Sequence, residues 1–153
     1  MGLIGDIERR ARRYRLAGSA RAGKTALEEC LFGQLWIPSR QAAAAVVVVD
    51  VLRGVDARAH DAIAGFLDAR VPHVIVAVNR MDLAGYEYEA FKSVRAAVAA
   101  AADDAHAGGV AVVPVSARLG DNVLERGARI DWYPGRTLAE FLGATLRETT
   151  HAG

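Results

Sequence analysis

With 153 residues, 52% of them hydrophobic, the chain has the material for one modest core and does not read as a disordered polypeptide. Basic and acidic side chains number 19 and 18 and the net charge is +1, so bulk electrostatics gives no route to nucleic acid, and no nucleic-acid partner is expected. The single cysteine, Cys30, cannot form an internal disulfide and reads as a small core residue; no apolar run approaches the ~20 residues of a membrane span, and Met1–Gly5 lacks a signal-peptide pattern, so a cytoplasmic protein with no membrane contact is expected.

In chain order, Gly5–Arg13 is a charged lead-in carrying Arg9, Arg10, Arg12 and Arg13, read as a solvated face, with an acidic partner surface as the alternative. Tyr14–Ala17 is a short strand, weak for the centre of a parallel sheet and therefore expected at an edge. It leads into Gly18-Ser-Ala-Arg-Ala-Gly-Lys-Thr25, which fits G-x-x-x-x-G-K-[ST]. In that pattern the glycines and successive backbone N–H groups of Gly18, Ser19, Ala20, Arg21, Ala22 and Gly23 wrap a phosphate chain. Lys24 reaches the terminal phosphates, and the Thr25 hydroxyl can ligate Mg²⁺. Chance would produce this pattern in a chain of this length on the order of once in a hundred sequences or less. Lys24–Trp36 carries Leu27, Leu31 and Leu35 at helical spacing, so a helix N-terminus faces the cradle, and Pro38 stops it.

Ala42–Val49 is a buried strand with Asp50 at its carboxyl end. Asp56–Arg70 is a helix with the stripe Ile63, Phe66 and Leu67. His73–Val78 is the next strand, opened by Pro72 and closed by Asn79-Arg80-Met81-Asp82; His73 has no second ligand at metal spacing and reads as a strand-start residue. Glu87–His106 is an alanine-rich helix carried more by propensity than by a broad apolar face, ended by Gly108 and Gly109. Val110–Val115 is a further strand, followed by Ser116-Ala117-Arg118. Thr137 caps a last helix through Arg147, with Glu140 completing a capping box, and Gly120-Asp121-Asn122 reads as a structural turn, with a contact surface as the alternative. Strands separated by helices at this spacing form βαβ units around a parallel sheet. One domain over residues 14–148 is expected, with a basic lead-in at 1–13 and a tail at 149–153.

In such a sheet the cradle, Asn79–Asp82 and Ser116–Arg118 all follow carboxyl ends of strands and share one rim. The Asp82 carboxylate can accept from guanine N1–H and the 2-amino group together, whereas adenine offers it an acceptor. Charge-assisted bonds are worth ~1.5–3 kcal/mol each, and a site built around such a pair rejects the wrong partner by about 10⁴-fold. Asn79 would brace this loop against cradle and base, Arg80 could lie over the ring, and the Ala117 N–H could mark guanine O6. A P-loop kinase would leave the Asn79–Asp82 loop without a purpose.

These residues resemble the phosphate and guanine motifs of translation-factor-type GTPases. The sequences Val74-Ile-Val-Ala-Val-Asn-Arg-Met-Asp-Leu83, Pro114-Val-Ser-Ala-Arg-Leu-Gly-Asp-Asn-Val123 and Trp132-Tyr-Pro-Gly-Arg-Thr-Leu138 are similar to the GTP-binding domain of the large subunit of heterodimeric bacterial sulfate adenylyltransferase. The likeness runs over about residues 42–142 and is confined to the cradle before that. The elongation factor of alpha type shares the Gly-Asp-Asn and Trp-aromatic-Gly elements, so an elongation-factor-like fragment is a further reading. The resemblance implies a three-layer α/β P-loop NTPase fold with a reduced, mainly parallel sheet of about four strands. It also implies GTP or GDP as ligand, Mg²⁺ as cofactor, a small catalytic subunit as partner, and GTP hydrolysis coupled to formation of adenylyl sulfate from ATP and sulfate. Implied guanine contacts are Asn79, Arg80, Asp82, Ser116, Ala117 and Arg118.

The departures are as specific. Between Thr25 and Asp50 the family carries two switch regions, with a threonine that closes over Mg²⁺ and an Asp-x-x-Gly-His segment. Here the interval is about 25 residues and holds neither; the literal Asp-x-x-Gly at Asp82–Gly85 belongs to the base loop, Asp50–Gly54 is one residue too long, and Arg80 replaces lysine. Phosphoryl transfer needs Mg²⁺, a placed water and charge-stabilising groups at the γ-phosphate. Catalytic residues are therefore unassigned, and the alternative is a non-catalytic guanine-nucleotide-binding remnant or interaction domain.

Overall fold

The computed structural model describes residues 14–18, 23, 44–104 and 110–143. Four strands, β1 (Tyr14–Gly18), β2 (Ala44–Asp50), β3 (His73–Asn79) and β4 (Val110–Pro114), form one sheet in the order β1-β2-β3-β4. Every pairing is parallel. Two helices, α1 (Ala57–Asp68) and α2 (Tyr88–Asp104), make the β2-to-β3 and β3-to-β4 crossovers. This is the three-layer parallel architecture that the strand and helix spacing predicts, with β1 at the sheet edge.

The uninterrupted apolar run of β2 is explained by cover on both faces, since all seven of its residues are buried. Val46 and Val48 join Ile75, Ala77 and Val113 on one face, where Leu138 and Leu142 of the helical residues 138–143 close over them. Val47 and Val49 join Val76 and Val78 on the other, against Ile63 of α1 and Phe91, Val94 and Val98 of α2. Each fully buried Val, Ile or Phe contributes roughly 1.5–3 kcal/mol of transfer free energy.

The helix ends are set by local chemistry. Asp56 caps α1, its Oδ1 accepting the Ala59 N–H at 2.8 Å. At the other end Val71 N–H donates to Phe66 O and Arg70 N–H to Leu67 O, a Schellman pattern with Arg70 in the left-handed region at φ 58°. Thr137 caps the last helix by accepting the Glu140 N–H at 3.2 Å.

α2 differs from expectation. It presents a continuous apolar stripe, Phe91, Val94, Val98 and Ala101, all buried, so packing as well as propensity holds it; the alanines between the larger residues mask the period in the sequence. The Lys24–Trp36 helix, Cys30, the Gly108-Gly109 stop, the lead-in, the tail and the end of the last helix at Arg147 lie outside the described residues. Among the described residues no helix is long and apolar enough to cross a membrane.

Candidate functional site

Parallel pairing fixes which ends meet. Gly18 is level with Val48, Asp50 with Asn79, and Val78 with Pro114, so the segments leaving β1, β2, β3 and β4 emerge on one rim. The expected convergence of the cradle entry, Asn79–Asp82 and Ser116–Arg118 is thus the arrangement found.

Asn79, the last residue of β3, is buried and joins two of these segments. Its Oδ1 accepts the Ala117 N–H at 2.9 Å. Its Nδ2 lies so close to Gly23 that a Cβ on that glycine would overlap it, and Gly23 takes φ 89°. A side chain at 23 is excluded twice, by space and by backbone conformation. Asn79 therefore connects the β4 exit to Gly23, the second glycine of the G-x-x-x-x-G-K-[ST] motif. The Ala117 N–H, expected to mark guanine O6, is the donor to Asn79, brought there by the β4 exit.

Asp82 stands on a tight turn. Leu83 N–H donates to Arg80 O, Ala84 N–H to Met81 O, and Tyr86 N–H to Met81 O, while Met81 itself is fully buried and donates its N–H to Val115 O at 3.2 Å. One Asp82 oxygen, Oδ1, accepts the Ser116 hydroxyl at 3.1 Å. Ser116 is fully buried, and its Oγ also accepts the Leu119 N–H at 3.3 Å. Arg118 is exposed at the rim.

Asp50 is buried at the end of β2, its Oδ1 accepting Leu52 N–H at 2.8 Å. Its Oδ2 lies 3.7 Å from an Arg80 guanidinium nitrogen and 3.9 Å from Arg53 Nε. Arg80, at φ 69°, has its Nε 3.9 Å from where a Gly23 Cβ would sit, so its guanidinium lies between Asp50 and Gly23. Ser19–Ala22, Lys24 and Thr25 lie outside the described residues. Among the described residues no group of three His, Cys, Asp or Glu side chains could hold a metal ion, and Thr25, the motif position for Mg²⁺, lies outside them.

The structure adds residues to which no site role was given from the sequence. Asn122, fully buried at φ 58°, donates from Nδ2 to Pro114 O at 3.1 Å and accepts Gly127 N–H on Oδ1 at 2.9 Å. Its backbone carbonyl takes Leu138 N–H at 2.9 Å, so the Gly-Asp-Asn turn ties β4 to the last helix. Tyr86 donates its hydroxyl to Asp121 Oδ2 at 2.7 Å. Trp132 donates Nε1–H to Tyr86 O at 2.9 Å and packs edge-on against Tyr88 at 5.3 Å between centroids. The Gly120-Asp121-Asn122 turn chemistry is a visible signal for Asn122; nothing in the spacing of Tyr86 and Asp121 reveals their pairing.

Residues 33–148 match the family described as the elongation factor Tu GTP binding domain, a match that begins after the cradle motif. Among curated proteins, the bifunctional enzyme CysN/CysC of Xylella fastidiosa is 41% identical over 103 residues, covering 66% of this chain and 16% of its own. Sulfate adenylyltransferase subunit 1 of Saccharophagus degradans is 35% identical over 100 residues, covering 64% of this chain and 21% of its own. The chain thus spans about a fifth or less of the length of these two relatives. Among solved structures, sup35 complexed with GDP superposes with a TM-score of 0.71 at 18% identity, over 84% of this chain and 43% of that one. The apo form of elongation factor SelB from Methanococcus maripaludis gives 0.67 at 18% identity, over 88% and 33%. With a parallel sheet whose rim gathers the Asn79–Asp82 and Ser116–Arg118 loops, the chain belongs to the elongation factor Tu GTP binding domain family.

Proposed function

We propose that the chain is a guanine-nucleotide-binding module of the kind carried by sulfate adenylyltransferase subunit 1. The observation that carries this is the half-buried Asp82 carboxylate, set by the Ser116 hydroxyl at 3.1 Å on the rim where Asn79 joins Gly23 to Ala117. A carboxylate so placed satisfies one hydrogen-bond acceptor site internally and keeps others for two donors on one ligand edge, which guanine supplies and adenine does not. Gly18 to Gly23 with Lys24 would take the phosphates, and Thr25 would take Mg²⁺ together with the nucleotide's own oxygens.

The functional partner in this reading is a small catalytic subunit, with GTP turnover serving adenylyl sulfate formation. Hydrolysis by the chain alone is not part of the proposal, because the interval between Thr25 and Asp50 holds neither switch sequence. That short interval favours a second reading, a binding or interaction domain that keeps base recognition without turnover.

Calorimetric titration with GDP, GTP and ADP in Mg²⁺ tests the first reading. GDP binds and ADP does not; Asp82→Asn abolishes the preference, and Lys24→Ala weakens every nucleotide. Equal affinity for GDP and ADP refutes the guanine assignment. Turnover of bound GTP only after addition of the small subunit separates the coupled enzyme from the non-catalytic domain.

A further inference from the structure

The base loop is closed by a ring of contacts that the guanine reading does not use. From Asp82 the chain turns through Gly85, at φ 64°, to Tyr86, at φ 58°. The Tyr86 hydroxyl donates to Asp121 Oδ2 at 2.7 Å, the Asp121 carbonyl accepts Ser116 N–H at 3.1 Å, and the Ser116 hydroxyl returns to Asp82 Oδ1 at 3.1 Å. Two loops 35 residues apart in sequence are thereby joined at both ends of the Asp82 turn.

The surroundings hold each member of the ring in place. A Cβ on Gly127 would come within 2.8 Å of the Asp121 Cβ, so glycine there leaves Asp121 its room. Trp132 Nε1–H pins the Tyr86 carbonyl at 2.9 Å, and the Arg129 guanidinium lies 5.6 Å from the Tyr86 ring centroid. Burial and the hydrogen bond to Asp121 push the Tyr86 phenol above its usual range, which keeps the proton on the donor.

We infer that Tyr86 and Asp121 are positioning residues for guanine selectivity: their hydrogen bond fixes the turn that aims the Asp82 carboxylate. This rests on the guanine reading above. A turn whose far end is held by Trp132 at the Tyr86 carbonyl without the Asp121 bond can pivot about Ser116, and a carboxylate displaced by a fraction of an ångström keeps one ligand donor and loses the second. The loss then falls on the ligand edge with two donors, and a ligand with one is spared.

The test compares GDP with inosine diphosphate, which has N1–H and lacks the 2-amino group. The full chain is titrated with GDP, inosine diphosphate and ADP, and the same series is run on Tyr86→Phe, Asp121→Ala and Asp121→Asn. The unaltered chain should favour GDP over inosine diphosphate by about tenfold or more, one charge-assisted bond. In Tyr86→Phe and Asp121→Ala that ratio should fall at least about threefold, and the double variant should lose no more than either single one. Asp121→Asn keeps an acceptor for the phenol and should retain the ratio.

A purely structural bond predicts something else: lower melting temperatures with the ratio intact, and that result overturns the proposal. So does equal weakening toward both nucleotides. If the unaltered chain does not prefer GDP to ADP, the guanine reading fails and the proposal with it; if it does and the ratio is unmoved in Tyr86→Phe and Asp121→Ala, the positioning role alone fails.

Discussion

Replacing Asn122 with alanine tests how much of the site's support passes through one buried side chain. Asn122 is fully buried, with its amide shared between Pro114 O at 3.1 Å and Gly127 N–H at 2.9 Å. Alanine removes two hydrogen bonds worth ~1 kcal/mol each and leaves the buried Gly127 N–H unpaired, a further ~1–3 kcal/mol. Asn122 also sits at φ 58°, where alanine pays ~1–2 kcal/mol that asparagine largely avoids. The sum is about 4–7 kcal/mol, and for a domain of this size each kcal/mol lowers the melting temperature by ~2–4 °C. Asn122→Gly removes the same hydrogen bonds without the left-handed penalty, at the cost of ~0.5–1 kcal/mol more chain entropy, so it should be the milder variant by about 0.5–1 kcal/mol. Urea unfolding followed by circular dichroism measures both, with the slopes compared to confirm that the unfolded state is unchanged. A loss under ~1 kcal/mol in Asn122→Ala, or a glycine variant weaker than the alanine one, would refute the reasoning.

Three further changes have definite signs. Gly23→Ala should weaken GDP binding at least about tenfold with little effect on melting, since the new Cβ overlaps Asn79 Nδ2 in a left-handed backbone; unchanged affinity would mean the Asn79–Gly23 contact is irrelevant to the site. Thr137→Ala, which removes the cap on Glu140 N–H, should cost ~1 kcal/mol in urea unfolding, whereas Thr137→Ser should restore most of it. Tyr133 is pushed from 10.0 up to about 12, chiefly by burial, with Glu140 adding and Arg126 opposing. Because the folded value lies above the unfolded one, its contribution is complete below pH 10 and lost as pH rises from 10 to about 12, an upper bound of ~2–3 kcal/mol that partial exposure reduces. Tyr133→Phe should lose less stability than the unaltered chain across that window, and an identical loss in both would sink the assignment.

What the sequence made legible was mostly periodic. β2 and β3 announce themselves as unbroken apolar runs, and the residues that end them, Asp50 and Asn79, fall where a parallel register must place them, on the rim. Asp56 and Thr137 are readable as caps because their offsets to Ala59 and Glu140 are those of helix first turns. α2 was harder, since Ala97, Ala99 and Ala100 between Val94 and Ala101 dilute the stripe that packs. Tertiary pairings had no periodic signature at all. Tyr86 with Asp121, Asn122 with Gly127 and Pro114, and Asp50 with Arg80 depend on how loops cross the rim, and each partner taken alone is an ordinary turn or surface residue.

The distribution of the core shows what holds the Asn79–Asp82 loop. Among the described residues, both clusters of buried residues are drawn from β2, β3, β4, their crossover helices, the loops after β2 and β3 and the segment that follows β4, with Ala17 of β1 partly buried against one of them. The base loop grows out of β3, between two central pairings, and is tied to the β4 exit through Met81, Ser116 and Tyr86. The phosphate motif leaves the edge strand, and its link to this block among the described residues is Gly23 lying against Asn79 and Arg80. Perturbing β1 should therefore cost phosphate affinity before it costs discrimination between purines, because the groups that would read the base grow out of β3 and β4 and are tied to one another there.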